Sequence, residues 1–558
     1  MADSMANRAF LGFLVALLLG TSSTAPYRAV PVTSSGTQMQ TASTVSPKLR
    51  KPLLPLHRHV SAGLKRTPTR PLPSAATGRL STTSAALNQP GLNALDNGAF
   101  QSSPPDATGS IGPNHYVEMV NEAIGVYTRS DLSLVVSKSL RSWLVQPSTP
   151  VCDPQVQWDS SSQRWLYVVL ACAFNAHKFF YGWSKTSDPS DLVSGWCRFS
   201  RSTPNVLADY PKLGHNSKYM MVGTNNFSDS GINAFVTAQI SWMRTPAPGN
   251  SSCVAPAVGS FGSAAAPMKN GDGMTLTGTP VPVNTTRNAN DGYVVSAYDP
   301  YGPPAVAQTK LAVWHLDSSG VLHAHADIPV TTYAIPAAAP NLGGAPIGID
   351  TLDGRLTQAV GDPTTGIYTQ HTVNGPGGRS VVRWYEIQVA SSVATLTQQG
   401  DIAGSDWVFN GAISPRSDGQ GAVIFYNRSS ATTYPVIATQ GRMVSTPTGQ
   451  MDPGEIVLVT STAGDQDFSC NNPSPGFPCR WGDYAGASPD PVNGNVVWGS
   501  NQALSTPSVP DGPPNWVTQN FAIVGPLSRV VQQSSTPSPI PTRSPAAPSS
   551  PSPSPGAR

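Results

Sequence analysis

Between residues 99 and 524 apolar and polar residues alternate over short runs, and Gly, Asn, Asp, Ser and Pro break the runs at close intervals. Alternation with period two puts successive side chains on opposite faces of a strand, whereas a helical stripe would repeat every three to four residues. Helical periodicity is nearly missing. Strands are legible at 115–120, 164–171, 218–223, 292–297, 366–371, 421–426 and 495–499, with further strands at 179–185, 310–316 and 381–389.

Ahead of each of the first group stands a turn opened by an acidic or amide residue: Asp106, Asp153, Asp209, Asp272, Asp353, Asn410 and Asp483. The chain thus divides into about seven units of about 60 residues, longer than common propeller repeats, so long inter-strand loops are expected. Short antiparallel strands repeated in this way predict an all-β fold, a single β-propeller of seven blades with six or eight as alternatives, because each blade buries both faces against its neighbours. A two-domain β-sandwich uses the same strands but explains the regular unit openings less well.

The ends read differently. Residues 1–25 have the layout of a secretory signal peptide: Arg8, an apolar run too short to span a bilayer, then Ser23, Thr24 and Ala25. Residues 26–95 form a Ser/Thr/Pro-rich linker expected to be disordered; Arg28, Lys48, Arg50, Lys51, Arg58, Lys65, Arg66, Arg70 and Arg79 make it basic. The propeller is expected over 96–530, and 531–558 is a Pro/Ser-rich tail. Taking the basic arm out of the formal net charge of +3 leaves an acidic middle, which argues against a nucleic-acid partner. The 6 cysteines of a secreted chain read as disulfides, with Cys470 and Cys479 closing a local loop and the pairing of Cys152, Cys172, Cys197 and Cys253 open. The expected location is extracellular, free or associated with the cell envelope, with no transmembrane segment after signal cleavage.

Several segments carry a resemblance: Ala107 to Val120, Asp153 to Trp165, Asp209-Tyr210-Pro211-Lys212-Leu213-Gly214 and its continuation to Gly223, Ile349 to Leu356, Val382 to Ile387, and Arg480-Trp481-Gly482-Asp483-Tyr484 running on to Pro491. Together they resemble a family of secreted bacterial β-propeller proteins that has no assigned biochemical activity. The resemblance covers most of residues 100–525 and implies fold and export; it carries no catalytic residues.

The candidate chemistry is geometric. If the unit openings begin the inner strands of a propeller, Asp106, Asp153, Asp209, Asp353 and Asp483, with Asn410, converge at one mouth of the central channel. Such an oxygen-rich ring suits calcium, although Asp residues at turns also cap their own backbone. Asp209, Tyr210, Lys212, Arg480, Trp481, Asp483 and Tyr484 form the candidate ligand-binding set, the aromatics offering faces to a sugar. Among hydrolase signatures, only a faint Asp-box likeness is found, at Ser488-Pro489-Asp490 and Ser417-Asp418-Gly419. Glu118, Glu122, Glu386 and Glu455 read as exposed strand and turn residues rather than as a catalytic carboxylate pair. His323 and His325 share a strand face without a third metal ligand in view and read as solvent-facing. Asn226, Asn250, Asn284 and Asn427 open glycosylation sequons that would mark surface loops in a glycosylating source. The expected function is an extracellular binding or scaffold module for a polysaccharide or protein. A glycan-acting hydrolase or lyase using channel-mouth carboxylates, and a structural envelope component, are the alternatives.

Overall fold

A computed structural model describes residues 56–59, 84–97 and 100–525 except 174, 230–233, 288, 301–305, 391–392, 473–474 and 506–508. The expected signal peptide, most of the basic linker and the Pro/Ser-rich tail lie outside the described residues.

The strands assemble into antiparallel meanders. The first comprises Thr108–Ile111, His115–Val120, Ala123–Thr128 and Leu134–Ser139, and the second Val151–Asp159, Arg164–Ala171, Lys178–Ser184 and Trp196–Ser202. Two more meanders, Val206–His215 through Val258–Phe261 and Gln358–Asp362 through Val393–Ile402, are joined into a 9-stranded sheet by Asn284–Thr285, which pairs in parallel with both their first strands. Between them in sequence lies a 5-stranded sheet running from Val281–Pro282 to Ile328–Tyr333. The last two sheets are Trp407–Pro415 through Ile456–Thr460, and Gly486–Pro489, Val496–Leu504 and Trp516–Val524 completed by Ser84–Asn93. First strands of successive sheets pack side by side, and that of the last returns to Thr108–Ile111. This closed ring is a β-propeller arrangement, in which 5 sheets stand as separate four- or five-stranded blades.

Apolar clusters fill the spaces between the sheets. Val117, Val126, Trp143, Trp158, Trp165 and Tyr167 join the first sheet to the second, and Phe425, Phe521, Val423 and Val497 join the last two. Both faces are therefore covered, which is why Arg164–Ala171 is buried at every position and reads as a near-continuous apolar run. Glu118 and Glu122 depart from the exposed positions expected of them. Glu118 is buried against the closing sheet, where its carboxylate accepts from Leu92 N, Tyr127 Oη, Asn520 Nδ2 and Ser500 Oγ at 2.7–3.2 Å. Glu122 is buried on the Arg141 guanidinium, with Nε 2.7 Å from Oε2.

Ser84–Asn93 is the outermost strand of the last sheet, paired with Trp516–Val524. The linker boundary expected at residue 95 therefore falls too late: this stretch closes the ring. Leu56–His59 also pairs, with Phe100–Ser103. Three disulfides, Cys152–Cys172, Cys197–Cys253 and Cys470–Cys479, settle the open pairings and suit an oxidising compartment. Among the described residues no helix is long and apolar enough to cross a membrane.

Candidate functional site

The inner strands share a local deformation. Asp106, Asp153, Tyr210, Thr279 and Asn410 all have φ between 42° and 55°. At Asp153, Tyr210 and Asn410 the pairing register also slips, between Cys152 and Gln155, Asp209 and Lys212, and Phe409 and Ala412. Asp and Asn tolerate this left-handed backbone better than other side chains, so Asp106, Asp153 and Asn410 are legible as unit openings. Thr279, not Asp272, holds the equivalent place before Val281–Pro282. Asp272 is on the surface, where its carboxylate caps Met274 N and Thr275 N at 2.9 and 2.8 Å, ordinary turn chemistry that resembles a unit opening.

These openings bring together most of the expected acidic ring. Asp106, Asp153, Asp209, Asp353 and Asp483 are 0–3% exposed. Two segments close over them, 338–353 and the described residues 461–472 and 475–483, held together by hydrogen bonds from Cys479 N to Gly348 O and from Asp350 N to Cys479 O. Asp106 links three sheets. Its carboxylate accepts from Asp483 N at 2.7 Å and from Asn121 Nδ2 at 2.8 Å, while Asn121 Oδ1 accepts from Asp153 N. Asp353 takes a two-pronged grip from Arg355 at 2.7 and 2.6 Å, and Asp483 takes Arg480 Nη2 at 3.1 and 3.0 Å. Two of the five carboxylates expected to ligate calcium thus spend both oxygens on guanidinium groups.

Lys212 supplies a third basic side chain. Its Nζ lies 3.4 Å from the Tyr484 ring centroid and 3.8 Å from that of Tyr210, and the Arg355 guanidinium carbon lies 4.6 Å from the Tyr210 ring centroid. The Tyr210 hydroxyl donates to Asp483 O at 2.9 Å, and the Trp481 indole donates to Asn427 Oδ1 at 3.1 Å. Tyr210, Trp481 and Tyr484 are all buried, so their ring faces are internal packing and are closed to a sugar.

Burial sets the protonation of this assembly. It pushes the Asp106 carboxyl up to about 7, with Asp483 adding to the rise and Arg480 opposing it. Asp153 is raised well above its usual range, first by burial and then by Asp106 and Asp209. Asp483 rises by burial against the pull of Arg480, and Lys212 is driven down by burial against the pull of Asp153. Each group moves toward its neutral form, as desolvation requires where charges outnumber close partners.

The opposite end of the ring is different. Gln358 reaches across to Ala487, donating to its carbonyl at 2.5 Å and accepting from its N–H at 3.1 Å. Ser488 Oγ accepts from Ile111 N at 3.1 Å and from Ser110 Oγ at 3.2 Å, and Ser110 Oγ accepts from Trp158 N at 3.0 Å. Beyond this floor a cavity of 30 Å³ opens between Ser110, Gln157, Trp158, His215, Asn284 and Ser488, with Ser160, Thr286, Ser417 and Pro491 at its rim. None of its lining residues is Asp or Glu. Asn284 Oδ1 and Thr285 Oγ1, both buried beside it, have no hydrogen-bond partner. This opening was missed in the sequence, where its Ser, Asn and Gln residues look like ordinary turn and strand-end positions. Asn284 opens a sequon, yet it is buried, as are Asn226 and Asn427, and Asn250 alone of the four is exposed.

A ring of antiparallel sheets with a sealed acidic end and a neutral open end belongs to the β-propeller class. No protein-family model and no curated protein matches the chain. Among solved structures, the WD40 domain of SCAP from fission yeast is similar at 11% identity, covering 74% of this chain and 84% of that one, with a TM-score of 0.29. An exo-β-1,3-galactanase from Phanerochaete chrysosporium with galactose is similar at 9% identity, covering 76% and 96%, with a TM-score of 0.29. A luciferin-regenerating enzyme is similar at 11% identity, covering 66% and 89%, with a TM-score of 0.28. Likeness at this level carries no argument about ligand or activity.

Proposed function

We propose that this chain is a secreted, seven-bladed propeller that binds an extracellular polysaccharide at its neutral open end, while the acidic end serves as the structural hub of the ring. The blade count follows from taking the 9-stranded sheet as two blades bridged by Asn284–Thr285. The observation that carries the binding reading is the contrast between the two ends: the carboxylates that could do acid and base chemistry are sealed from solvent, with Asp106, Asp353 and Asp483 hydrogen-bonded and the Asp153 oxygens buried without a partner, and the opening is lined by hydroxyls, amides and Trp158. Hydroxyl and amide groups exchange hydrogen bonds with neutral sugar hydroxyls at little desolvation cost compared with carboxylates. Asn284 and Thr285 offer acceptors without partners, which a sugar hydroxyl would satisfy. The cavity holds about two waters, enough for a terminal hydroxymethyl group but not for a whole ring, so the sugar sits across the rim.

Export rests on the leader-like residues 1–25 together with the disulfides. Affinity electrophoresis of the purified protein through gels containing neutral or charged polysaccharides tests the binding reading. Retardation by a neutral glycan that Asn284→Ala abolishes supports it; equal mobility in every gel refutes it. Release of reducing sugar from a retarding glycan would replace it with the hydrolase alternative.

A further inference from the structure

The central opening does not stand alone on its face of the ring. The turns that follow Gln358–Asp362 and Trp407–Pro415 bound a crevice of 330 Å³, lined by Arg287, Thr364, Glu386, Asp418 and Gln420. It adjoins the central cavity twice. Thr286 lines the centre and Arg287 the crevice, Ser417 the centre and Asp418 the crevice, so only about 3.8 Å of backbone separates the two openings at each place. A shallow groove of 660 Å³ lies between the first and last sheets, where Asn114, Ser130 and Asn493 stand around an apolar wall of Ala86 and Leu87. It too adjoins the centre, through Asp490 and Pro491. The turns at 416–421 and 489–495 make the ridge between crevice and groove, tied where Asp418 N donates to Gly494 O at 3.1 Å and Ser417 Oγ to Asp490 O at 2.5 Å.

The side chains of the crevice are set for hydroxyl groups. Asp418 is held by Arg416 Nε at 3.1 Å, and Glu386 Oε2 accepts from Gln398 Nε2 at 2.6 Å, which fixes both carboxylates against the wall. The Arg287 side chain is 48% exposed, and its Nε stands 3.8 Å from Asp362 Oδ2, too far for a hydrogen bond. Thr364 and Gln420 are exposed; their backbone N–H groups go to Asp362 Oδ1 and Asp418 Oδ1, which leaves their side chains to the cavity. Gly419 keeps the space open, since a Cβ there would stand 3.5 Å from Thr365 Cγ2 and 3.7 Å from Arg287 Nη2. A guanidinium, a carboxylate and an amide around one cavity present planar pairs of donors and acceptors, which match neighbouring hydroxyls of a sugar ring. The volume stands at the lower end of the range of about 300–1,000 Å³ typical of small-molecule sites.

We propose that the open end binds an internal stretch of a linear glycan, with the crevice and the groove as sugar subsites that flank the central cavity. This rests on the glycan reading above and gives it a substrate class, polymer chains engaged along their length. A site for chain ends closes beyond the terminal residue; here the openings continue from the centre in two directions. The apolar wall of the groove takes the carbon-lined face of a sugar, and its Asn and Ser side chains take the hydroxyls. The other polar cluster legible in the sequence is turned inward, and the expectation of two solvent-facing histidines is corrected: His325 is 2% exposed with Nε2 3.0 Å from His315 Nδ1, and His323 Nε2 lies 2.8 Å from Asp317 Oδ2.

The test casts laminarin, xylan, galactomannan and amylose into separate native gels, then measures by calorimetry the disaccharide and hexasaccharide of each polymer that retards the protein. The hexasaccharide should bind at least about tenfold more tightly than the disaccharide. Arg287→Ala in the crevice and Asn493→Ala in the groove, both at exposed side chains, should leave the melting temperature unchanged. Each should weaken the hexasaccharide at least about fivefold and leave the disaccharide as it was. Equal affinity for the two oligosaccharides, or hexasaccharide binding untouched by both variants, would overturn the inference and leave the central site standing. Retardation in none of the gels would overturn the glycan reading itself, and the subsites with it.

Discussion

Asp106 makes the acidic hub measurable. Its carboxyl holds a proton up to about pH 7 in the folded ring, against an ordinary value of 3.8 in the unfolded chain. Between those values the folded state binds more protons than the unfolded state, so stability falls as pH rises. The contribution is fully present below about pH 4 and is lost by about pH 7. A displacement from 3.8 to about 7, at about 1.4 kcal/mol per pH unit, corresponds to about 4 kcal/mol. Asp153 and Asp483 are raised as well and act in the same direction. Asp106→Asn removes this titration. The amide oxygen can still accept from Asp483 N, but the amide nitrogen then faces Asn121 Nδ2, donor against donor, at a cost of about 1–3 kcal/mol. Asn121 cannot turn to relieve the clash without releasing Asp153 N. Urea unfolding at half-unit steps from pH 4.5 to 7.5 should therefore show the wild-type protein losing stability with rising pH. Asp106→Asn should be weaker at the acid end and distinctly flatter across the series. Parallel wild-type and variant curves, or wild-type stability that rises over this window, would refute the reasoning.

Three further outcomes follow from the same geometry. A chain beginning at residue 94 loses the outer strand of the last sheet, including buried Leu92, and should be less stable by at least about 3 kcal/mol; an unchanged denaturation midpoint would show that Ser84–Asn93 does not close the ring. Cys470→Ser/Cys479→Ser should cost about 3 kcal/mol from loop closure and flatten the pH dependence by letting water reach Asp483 and Asp106, read by the same urea series. Adding calcium to chelator-treated protein should leave the melting temperature within error, because Arg355 and Arg480 already hold Asp353 and Asp483 and burial keeps Asp106 and Asp153 toward their neutral forms; a calcium-dependent rise abolished by Asp153→Asn would reverse that assignment.

Much of the fold was legible because its signals are local. Short apolar, β-branched runs bounded by turn residues marked 164–171 and 292–297 with the bounds the structure shows, and Asp or Asn at left-handed positions marked Asp106, Asp153 and Asn410. Thr279 escaped because a Thr-Pro pair carries no sign of positive φ, while half-buried Asp272 carries all the signs of a turn. Distant partners account for the rest. Ser84–Asn93 has weak alternation and finds its ladder more than 400 residues away, so it reads as linker. Glu118 looks like an exposed strand residue until the donors of residues 500 and 520 are placed around it. The lid over the acidic end comes from two stretches without strand periodicity, 338–353 and the described residues 461–472 and 475–483, and their closure turns an expected mouth into an interior.

The division of labour between the two ends is tested most directly by measuring glycan affinity and melting temperature together in two variants. For a polysaccharide retained by the wild-type protein, Asn284→Ala should weaken binding at least about tenfold by removing an unpaired acceptor while leaving the melting temperature nearly unchanged. Asp209→Asn, in the sealed ring, should shift the melting temperature and leave affinity as it was. Loss of binding in Asp209→Asn with an unaltered fold, and full binding in Asn284→Ala, would place the ligand at the acidic end and contradict the account.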